Sequence, residues 1–170
     1  MTKVDAIPSR AHAASGTVPT QKSSLINVTW DSSPDVEQFL AFISAYTRGR
    51  FSASLAERLT LASTELLDNA VRYGSLARDF TYRLEVDDNR AVVCVQNTTV
   101  RPRVDMLTAQ LRRLEASAEQ VYAAELERSM APGAGRRSML GLARICHEAE
   151  MKLSRDVDGN EVSVRASCSR

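Results

Sequence analysis

Three polar side chains that could do chemistry, Glu65, Asn69 and Arg72, follow one another at spacings of four and three residues. On a helix, at about 100° per residue, these positions lie along one side, next to a stripe of apolar residues. A carboxamide there can hold a divalent cation, a carboxylate can orient a water or a hydroxyl, and a guanidinium can bind a phosphate. The same spacing also suits an exposed, salt-bridged stripe without a chemical role. The spacing alone leaves both interpretations open.

The helix that must position these side chains is predicted to be amphipathic. Its apolar side comprises Leu55, Leu59, Ala62, Leu66, Ala70 and Tyr73. Ser54 and Glu57 have the spacing of a capping box, which predicts a start near Ser54, and Gly74 predicts the end of the helix. Burial of the apolar side would therefore place the three polar residues at the rim of a core.

A second segment with phosphate-binding character, residues 133–145, leads into the last predicted helix, which is expected at residues 138–149. Small residues let backbone N–H groups approach a phosphate, and a helix N-terminus carries about half a positive charge. The residues that could contact phosphates there are Gly133, Gly135, Arg136, Arg137, Ser138 and Gly141. A flexible loop between two helices is the alternative interpretation of this segment.

Both segments resemble motifs of one family. The sequence E-L-L-D-N-A-V-R-Y-G, residues 65–74, resembles the N-box of the GHKL ATPases, which include sensor histidine kinases, anti-sigma-factor serine kinases, gyrase B and Hsp90. The sequence L-G-L-A-R-I, residues 140–145, is similar to the element that follows the ATP lid in that family. The resemblance implies that Asn69 ligates Mg²⁺, that Glu65 orients a hydroxyl or water, and that Arg72 and the glycine-rich segment lie near the phosphates of ATP.

The motif that lies between these two in the family, D-x-G-x-G, is altered in this chain. Its Asp accepts a hydrogen bond from the adenine amino group, and here Asn97 occupies that position, with Thr99 in place of a glycine. An Asn oxygen can still accept this hydrogen bond, although more weakly because it carries no charge. We therefore expect ATP and Mg²⁺ as ligands, with Asn97 facing the adenine. A degenerate relative that binds proteins and no nucleotide is the alternative.

Hydrophobic periodicity and turn residues predict nine elements in the order β-α-α-β-β-α-α-β-β. The strands are expected at residues 25–30, 80–86, 91–95, 151–157 and 161–168, and the helices at 34–46, 54–73, 104–130 and 138–149, the third being one long helix or two short ones. Ser32 and Ser33 before Pro34 predict the first cap, and Gly49 the end of that helix. This order predicts an α+β fold: a two-layer sandwich with helices on one face of a mixed, mostly antiparallel sheet. The resemblance implies that it is of the Bergerat type.

Composition restricts the function classes. With 44% hydrophobic residues, 25% charged residues and a net charge of +1, the chain is expected to be a globular protein that binds no nucleic acid. No apolar stretch approaches the roughly 18 residues that suggest a membrane span, and three cysteines without metal-ligand spacing fit the cytoplasm. Residues 1–23 are expected to be a flexible tail, and residues 24–170 a single domain.

The small size of the domain resembles the stand-alone anti-sigma serine kinases more than sensor kinases. By that resemblance, the chain would transfer the γ-phosphate of ATP to a Ser or Thr of a small regulatory protein, typically of the STAS type. A homodimer formed through the first strand and helix is a further expectation from the family. An ATPase without a protein substrate is a third possibility.

Overall fold

A computed structural model describes residues 24–30, 35–74, 80–130 and 140–170. The elements are β1 (Ser24–Trp30), α1 (Val36–Arg50), α2 (Ala53–Tyr73), β2 (Phe80–Val86), β3 (Arg90–Thr98), α3 (Arg101–Met130), α4 (Leu140–His147), β4 (Lys152–Asp158) and β5 (Glu161–Ser169). Their order is the predicted one. The five strands form one sheet in the order β1-β2-β3-β5-β4. All neighbouring pairs are antiparallel, so the sheet is more uniform than the mixed sheet that was expected.

The helices cover one face of the sheet, which confirms the two-layer α+β architecture. Tyr82, Leu84 and Val93 point into this interface and are fully buried. On the opposite face, Arg83 and Arg165 flank Cys94 in one row across β2, β3 and β5. The alternation of buried and exposed positions along β2 is what an antiparallel strand with one covered face requires.

Helix α2 is the central helix of the covered face, and it packs against α1, α4 and β3. The capping box expected at Ser54 is wrong, because Ser52 is the N-cap and its side chain accepts a hydrogen bond from the Leu55 N–H at 3.4 Å. The predicted end is confirmed, since the Gly74 N–H closes the helix on the carbonyl of Ala70 at 2.7 Å. Both serines fit a cap by type, so only the backbone path distinguishes them.

Helix α1 differs from its prediction at both ends. Asp35 is the N-cap, and its carboxylate accepts from the Gln38 N–H at 3.1 Å. At the other end, the helix continues through Gly49 to Arg50, because Gly49 lies in open space and a helix tolerates an exposed glycine at a cost of about 1 kcal/mol. The Phe51 N–H then closes the last turn on the carbonyl of Thr47 at 2.9 Å.

Helix α3 consists of two helical segments that meet at Ser117, whose φ of −162° and ψ of 90° are not helical. This finding decides between the long helix and the two short helices that the sequence left open. Helix α4 packs against α3, α2 and β4, and it ends at His147, two residues earlier than predicted. Within the described ranges, no helix is both long enough and apolar enough to cross a membrane.

Candidate functional site

The three polar residues of α2 occupy different environments. Glu65 has a side chain that is only 14% exposed, and it forms an ion pair with Arg144 of α4. Asn69, one turn later, is partly buried. Arg72 lies on the exposed side of the helix, 3.5 Å from the carboxylate of Asp68. Glu65 and Asn69 thus lie at the rim of the core as expected, whereas Arg72 points along the solvent-facing side of α2.

Two residues of α4 surround the carboxylate of Glu65. The Arg144 Nη1 donates to Oε1 at 2.6 Å. The other oxygen, Oε2, lies against Gly141 so closely that a Cβ at this position would overlap it. Burial raises the pKa of Glu65, and Arg144 opposes this without reversing it. Arg144 therefore holds the carboxylate in place, and the absence of a side chain at position 141 leaves room for it.

Arg144 continues this contact toward α3. Its Nε donates to both carboxylate oxygens of Glu148, at 3.0 and 3.1 Å. Glu148 also accepts from the hydroxyl of Tyr122 at 3.0 Å, and the Tyr122 ring stacks on His147 with the ring centroids 4.2 Å apart. Polar contacts therefore run without interruption from α2 through α4 to the second segment of α3.

A pocket opens beside Asn69, between α2 and the first segment of α3. Its walls are mostly apolar, formed by side chains such as Leu66, Leu107, Leu142 and Val162. Asn69, Asn97, Thr99, Arg103 and Gln110 add polar groups to the lining. About 50 Å³ is open to the centre of a water-sized sphere, which is room for a few water molecules. An apolar pocket with a few convergent polar groups is the usual form of a small-molecule site.

Asn69 contributes an unusual donor to the site. Its Nδ2 is buried and has no hydrogen-bond partner in the part of the chain that the structure describes. An unsatisfied buried amide costs about 1–3 kcal/mol, so native proteins rarely retain one without a reason. An acceptor atom of a bound molecule, such as a phosphate oxygen, would satisfy it.

The residues at the positions of the altered family motif close the C-terminal end of α2. Asn97 Nδ2 donates to the carbonyl of Ala70 at 3.1 Å. Thr99 Oγ1 and Arg103 Nη1 both donate to the carbonyl of Tyr73, at 2.6 and 2.7 Å. The bonds from Thr99 and Arg103 satisfy a carbonyl that the helix end leaves without a partner, whereas the bond from Asn97 is a second one to a carbonyl that also accepts from the Gly74 N–H. Because a carbonyl can only accept, the bond to Ala70 fixes the amide orientation of Asn97 and leaves its oxygen available as an acceptor.

Several predicted site residues lie outside the described residues: Gly133, Gly135, Arg136, Arg137 and Ser138. Gly141 is described, and its close neighbour is the carboxylate of Glu65. Arg144, the closest cationic partner of Glu65, was not predicted. Its spacing of three residues from Gly141 places both on one face of α4, and this spacing could have indicated it.

The described residues offer no conventional metal cluster. Among them, no three or more His, Cys, Asp and Glu side chains come together in a way that could hold a metal ion. Mg²⁺ in phosphate-binding sites needs few protein ligands, because substrate phosphates and waters complete its shell. The carboxamide of Asn69, at the pocket wall, is compatible with such a site.

No family model matches the sequence, and no curated protein matches it. Among solved structures, the fold is similar to that of a chain in the crystal structure of the SiaB–SiaC complex from Pseudomonas aeruginosa. The TM-score is 0.62 at 16% identity, over 89% of this chain and 93% of that chain. The fold thus places the chain in the class of α+β two-layer domains. The solved structure that it resembles is one chain of the SiaB–SiaC complex.

Asn97→Asp should destabilise the protein. A carboxylate cannot donate to the carbonyl of Ala70, and it would place a negative charge at the negative end of the α2 dipole. We expect the free energy of unfolding, measured by urea denaturation at pH 7, to fall by about 1–3 kcal/mol. Asn27→Asp, on the exposed side of β1, is the matched control and should change it by less than about 0.5 kcal/mol. Equal effects of the two substitutions would contradict the bond to Ala70.

Asn69→Leu should stabilise the protein. The substitution removes an unsatisfied buried amide and adds apolar volume beside an existing cavity. Urea denaturation should show a gain of about 1 kcal/mol in the free energy of unfolding. Asn27→Leu, which changes an exposed Asn in the same way, should give no gain. A loss of stability in Asn69→Leu would mean that the amide has a partner in solution.

Proposed function

We propose that the chain is a GHKL-type ATP-binding regulator that phosphorylates a Ser or Thr of a small partner protein, in the manner of the anti-sigma serine kinases. The observation that carries the proposal is the buried Nδ2 of Asn69, which lies at the wall of a pocket and has no hydrogen-bond partner among the described residues. A carboxylate lies one helical turn away, in Glu65, at the spacing of the family's N-box. The ion pair with Arg144 joins α2 to α4, and the other oxygen of Glu65 and the Nδ2 of Asn69 both have a use if a nucleotide binds.

The residues have the following roles in this proposal. Asn69 would hold Mg²⁺ through its Oδ1 and donate from its Nδ2 to a phosphate oxygen, and the bound Mg²⁺ would supply charge neutralisation at the phosphates. The oxygen of Asn97 accepts a hydrogen bond from the adenine amino group. The phosphates are held by the glycine-rich segment with Gly133, Gly135, Arg136, Arg137 and Ser138, and by Arg72, whose side chain must turn away from Asp68 to reach them.

In the reaction, the hydroxyl oxygen of the partner's Ser or Thr forms a bond to the γ-phosphorus of ATP. The bond between that phosphorus and the β,γ-bridging oxygen breaks, and ADP leaves with the electron pair. Glu65 accepts the proton of the hydroxyl, and the raised pKa of this carboxylate makes it a better base than an exposed Glu. Positioning and charge neutralisation account for most of the rate enhancement in such transfers.

A small STAS-type protein is the proposed substrate, and the cytoplasm the proposed location. The similarity to a chain crystallised with a protein partner supports a protein-binding role. A homodimer is also proposed, since β1 is an edge strand of the sheet and Phe42 of α1 is 51% exposed, next to Phe39, whose ring packs on Trp30 of β1. An unpaired edge strand and an exposed aromatic side chain are features that a second copy can cover.

The alternative is an adaptor of the same fold that binds proteins and no nucleotide. It is favoured by the structural roles of Asn97 and Thr99, which close the end of α2, and by the narrowness of the pocket. Both proposals predict a protein partner. They differ in whether the chain binds ATP and phosphorylates that partner.

Calorimetric titration with Mg-ATP tests the proposal. We expect saturable binding that requires Mg²⁺ and that Asn69→Ala weakens by at least about tenfold, because the amide contact and the metal ligand are lost. Asn27→Ala should bind like the wild type. Absence of binding at millimolar ATP would reject the kinase and leave the adaptor.

Glu65→Gln separates binding from chemistry. The substitution keeps the size of the side chain and removes its ability to accept a proton, so ATP binding should stay within about twofold of the wild type. Transfer of labelled γ-phosphate to a STAS-type partner should fall by about a hundredfold or more. Undiminished transfer would exclude Glu65 as the base.

A further inference from the structure

Two residues in one turn of α4 contact the carboxylate of Glu65. Arg144 binds one carboxylate oxygen, and Gly141 leaves the space that the other occupies. Any side chain at position 141 would overlap Oε2. A Cβ at position 141 would force this carboxylate to move, so the glycine allows Glu65 to adopt the position in which Arg144 binds it.

We propose that Arg144 is a positioning residue, which holds the carboxylate of Glu65 so that Oε2, in the space that Gly141 leaves open, is directed at the acceptor hydroxyl. The part of this inference that concerns catalysis rests on the proposed function. The part that concerns the state of Glu65 rests on the contacts between α2 and α4 alone.

Arg144 is itself held in place from its other side. Both oxygens of Glu148 accept from its Nε, so one planar guanidinium bridges two carboxylates. The rigid fork of an arginine fixes direction as well as charge, which a lysine ammonium does not. Tyr122 in turn holds Glu148, and it belongs to the segment of α3 that follows the kink at Ser117. The orientation of Glu65 therefore depends on contacts with two other helices.

The electrostatics predict what happens when Arg144 is removed. The charged groups that face Glu65 are Asp68 on its own helix, Arg144 on α4 and Glu148, which directly follows α4. Burial, Asp68 and Glu148 raise the pKa of Glu65, and only Arg144 among these groups lowers it. Without Arg144, the raising influences are unopposed, so the pKa of Glu65 must rise further and the ionised form must appear at higher pH.

The first test measures this titration on the full chain by NMR of ¹³C-labelled Glu carboxyl groups, with the Glu65 signal assigned through Glu65→Gln. In Arg144→Met, the midpoint should move upward by about one pH unit or more. The control is Arg58→Met, since Arg58 holds the same end of α4 through the carbonyls of Ala149 and Glu150, at 2.6 and 2.8 Å. This control should leave the midpoint unchanged.

Two results of the titration would overturn the proposal. An unchanged midpoint in Arg144→Met would mean that the ion pair does not exist in solution. An equal shift in Arg58→Met would mean that any loosening of α4 is sufficient. Urea denaturation of each variant shows whether it is folded, and Arg144→Lys, which keeps the charge, provides a milder variant with a smaller expected shift.

The second test uses phosphoryl transfer. Arg144→Met should lower kcat by roughly tenfold to a hundredfold, with the KM for ATP within about twofold, and the acidic limb of the pH profile should move to higher pH. Arg144→Lys should recover part of the rate. A wild-type kcat and pH profile in Arg144→Met would show that the ion pair serves the fold alone. If the wild type binds no ATP, the proposed function and the catalytic part of this inference both fail, while the titration still decides whether Arg144 controls Glu65.

Discussion

The burial of the apolar side of α2 is the interaction on which the rest of the structure depends. Leu59, Leu66 and Leu67 are almost completely removed from solvent, and each contributes about 1.5–3 kcal/mol by its burial. Once this side faces the sheet, helix geometry leaves no freedom in where Glu65 and Asn69 point, because they lie at a fixed angle from the buried stripe. Packing of α2 thus determines where the candidate site lies, whereas the residue types at positions 65 and 69 are not determined by packing.

The C-terminal end of α2 imposes a second constraint, and it accounts for an Asn at position 97. Thr99 and Arg103 donate to the last helical carbonyl, that of Tyr73. Asn97 donates a second hydrogen bond to the carbonyl of Ala70, which also accepts from the Gly74 N–H. An Asp at position 97 could accept from a base but could not donate to Ala70. An Asn can do both, since its amide has a donor and an acceptor. Asn97 therefore meets the structural requirement at Ala70, and in the proposed function its oxygen would also accept from the ligand, more weakly than a carboxylate would.

Features that depend on neighbouring residues could be predicted from the sequence, and features that depend on distant contacts could not. The end of α2 at Gly74 and the turn between the strands expected at residues 80–86 and 91–95, in which Asp87 accepts two backbone hydrogen bonds, follow from local chemistry, and both are as expected. The choice of Ser52 over Ser54 as N-cap and the kink at Ser117 depend on the path of the backbone in the folded protein. The spacing of Arg144 from Gly141 places both on one face of α4, but the pairing of Arg144 with Glu65, 79 positions away, depends on how α4 packs against α2.

The fold cannot distinguish an enzyme from an adaptor, because a similarity at 16% identity extends to the architecture and no further. The distinction depends on residues whose presence costs stability. An adaptor of this fold would be more stable with Leu or Ala in place of Asn69, since neither leaves a buried donor without a partner. Proteins are commonly less stable with the polar residues of a binding site than with apolar residues at the same positions, because those polar groups have no partner until a ligand binds. The buried Nδ2 of Asn69, without a partner among the described residues, is therefore a stronger argument for a ligand than the shape of the pocket around it.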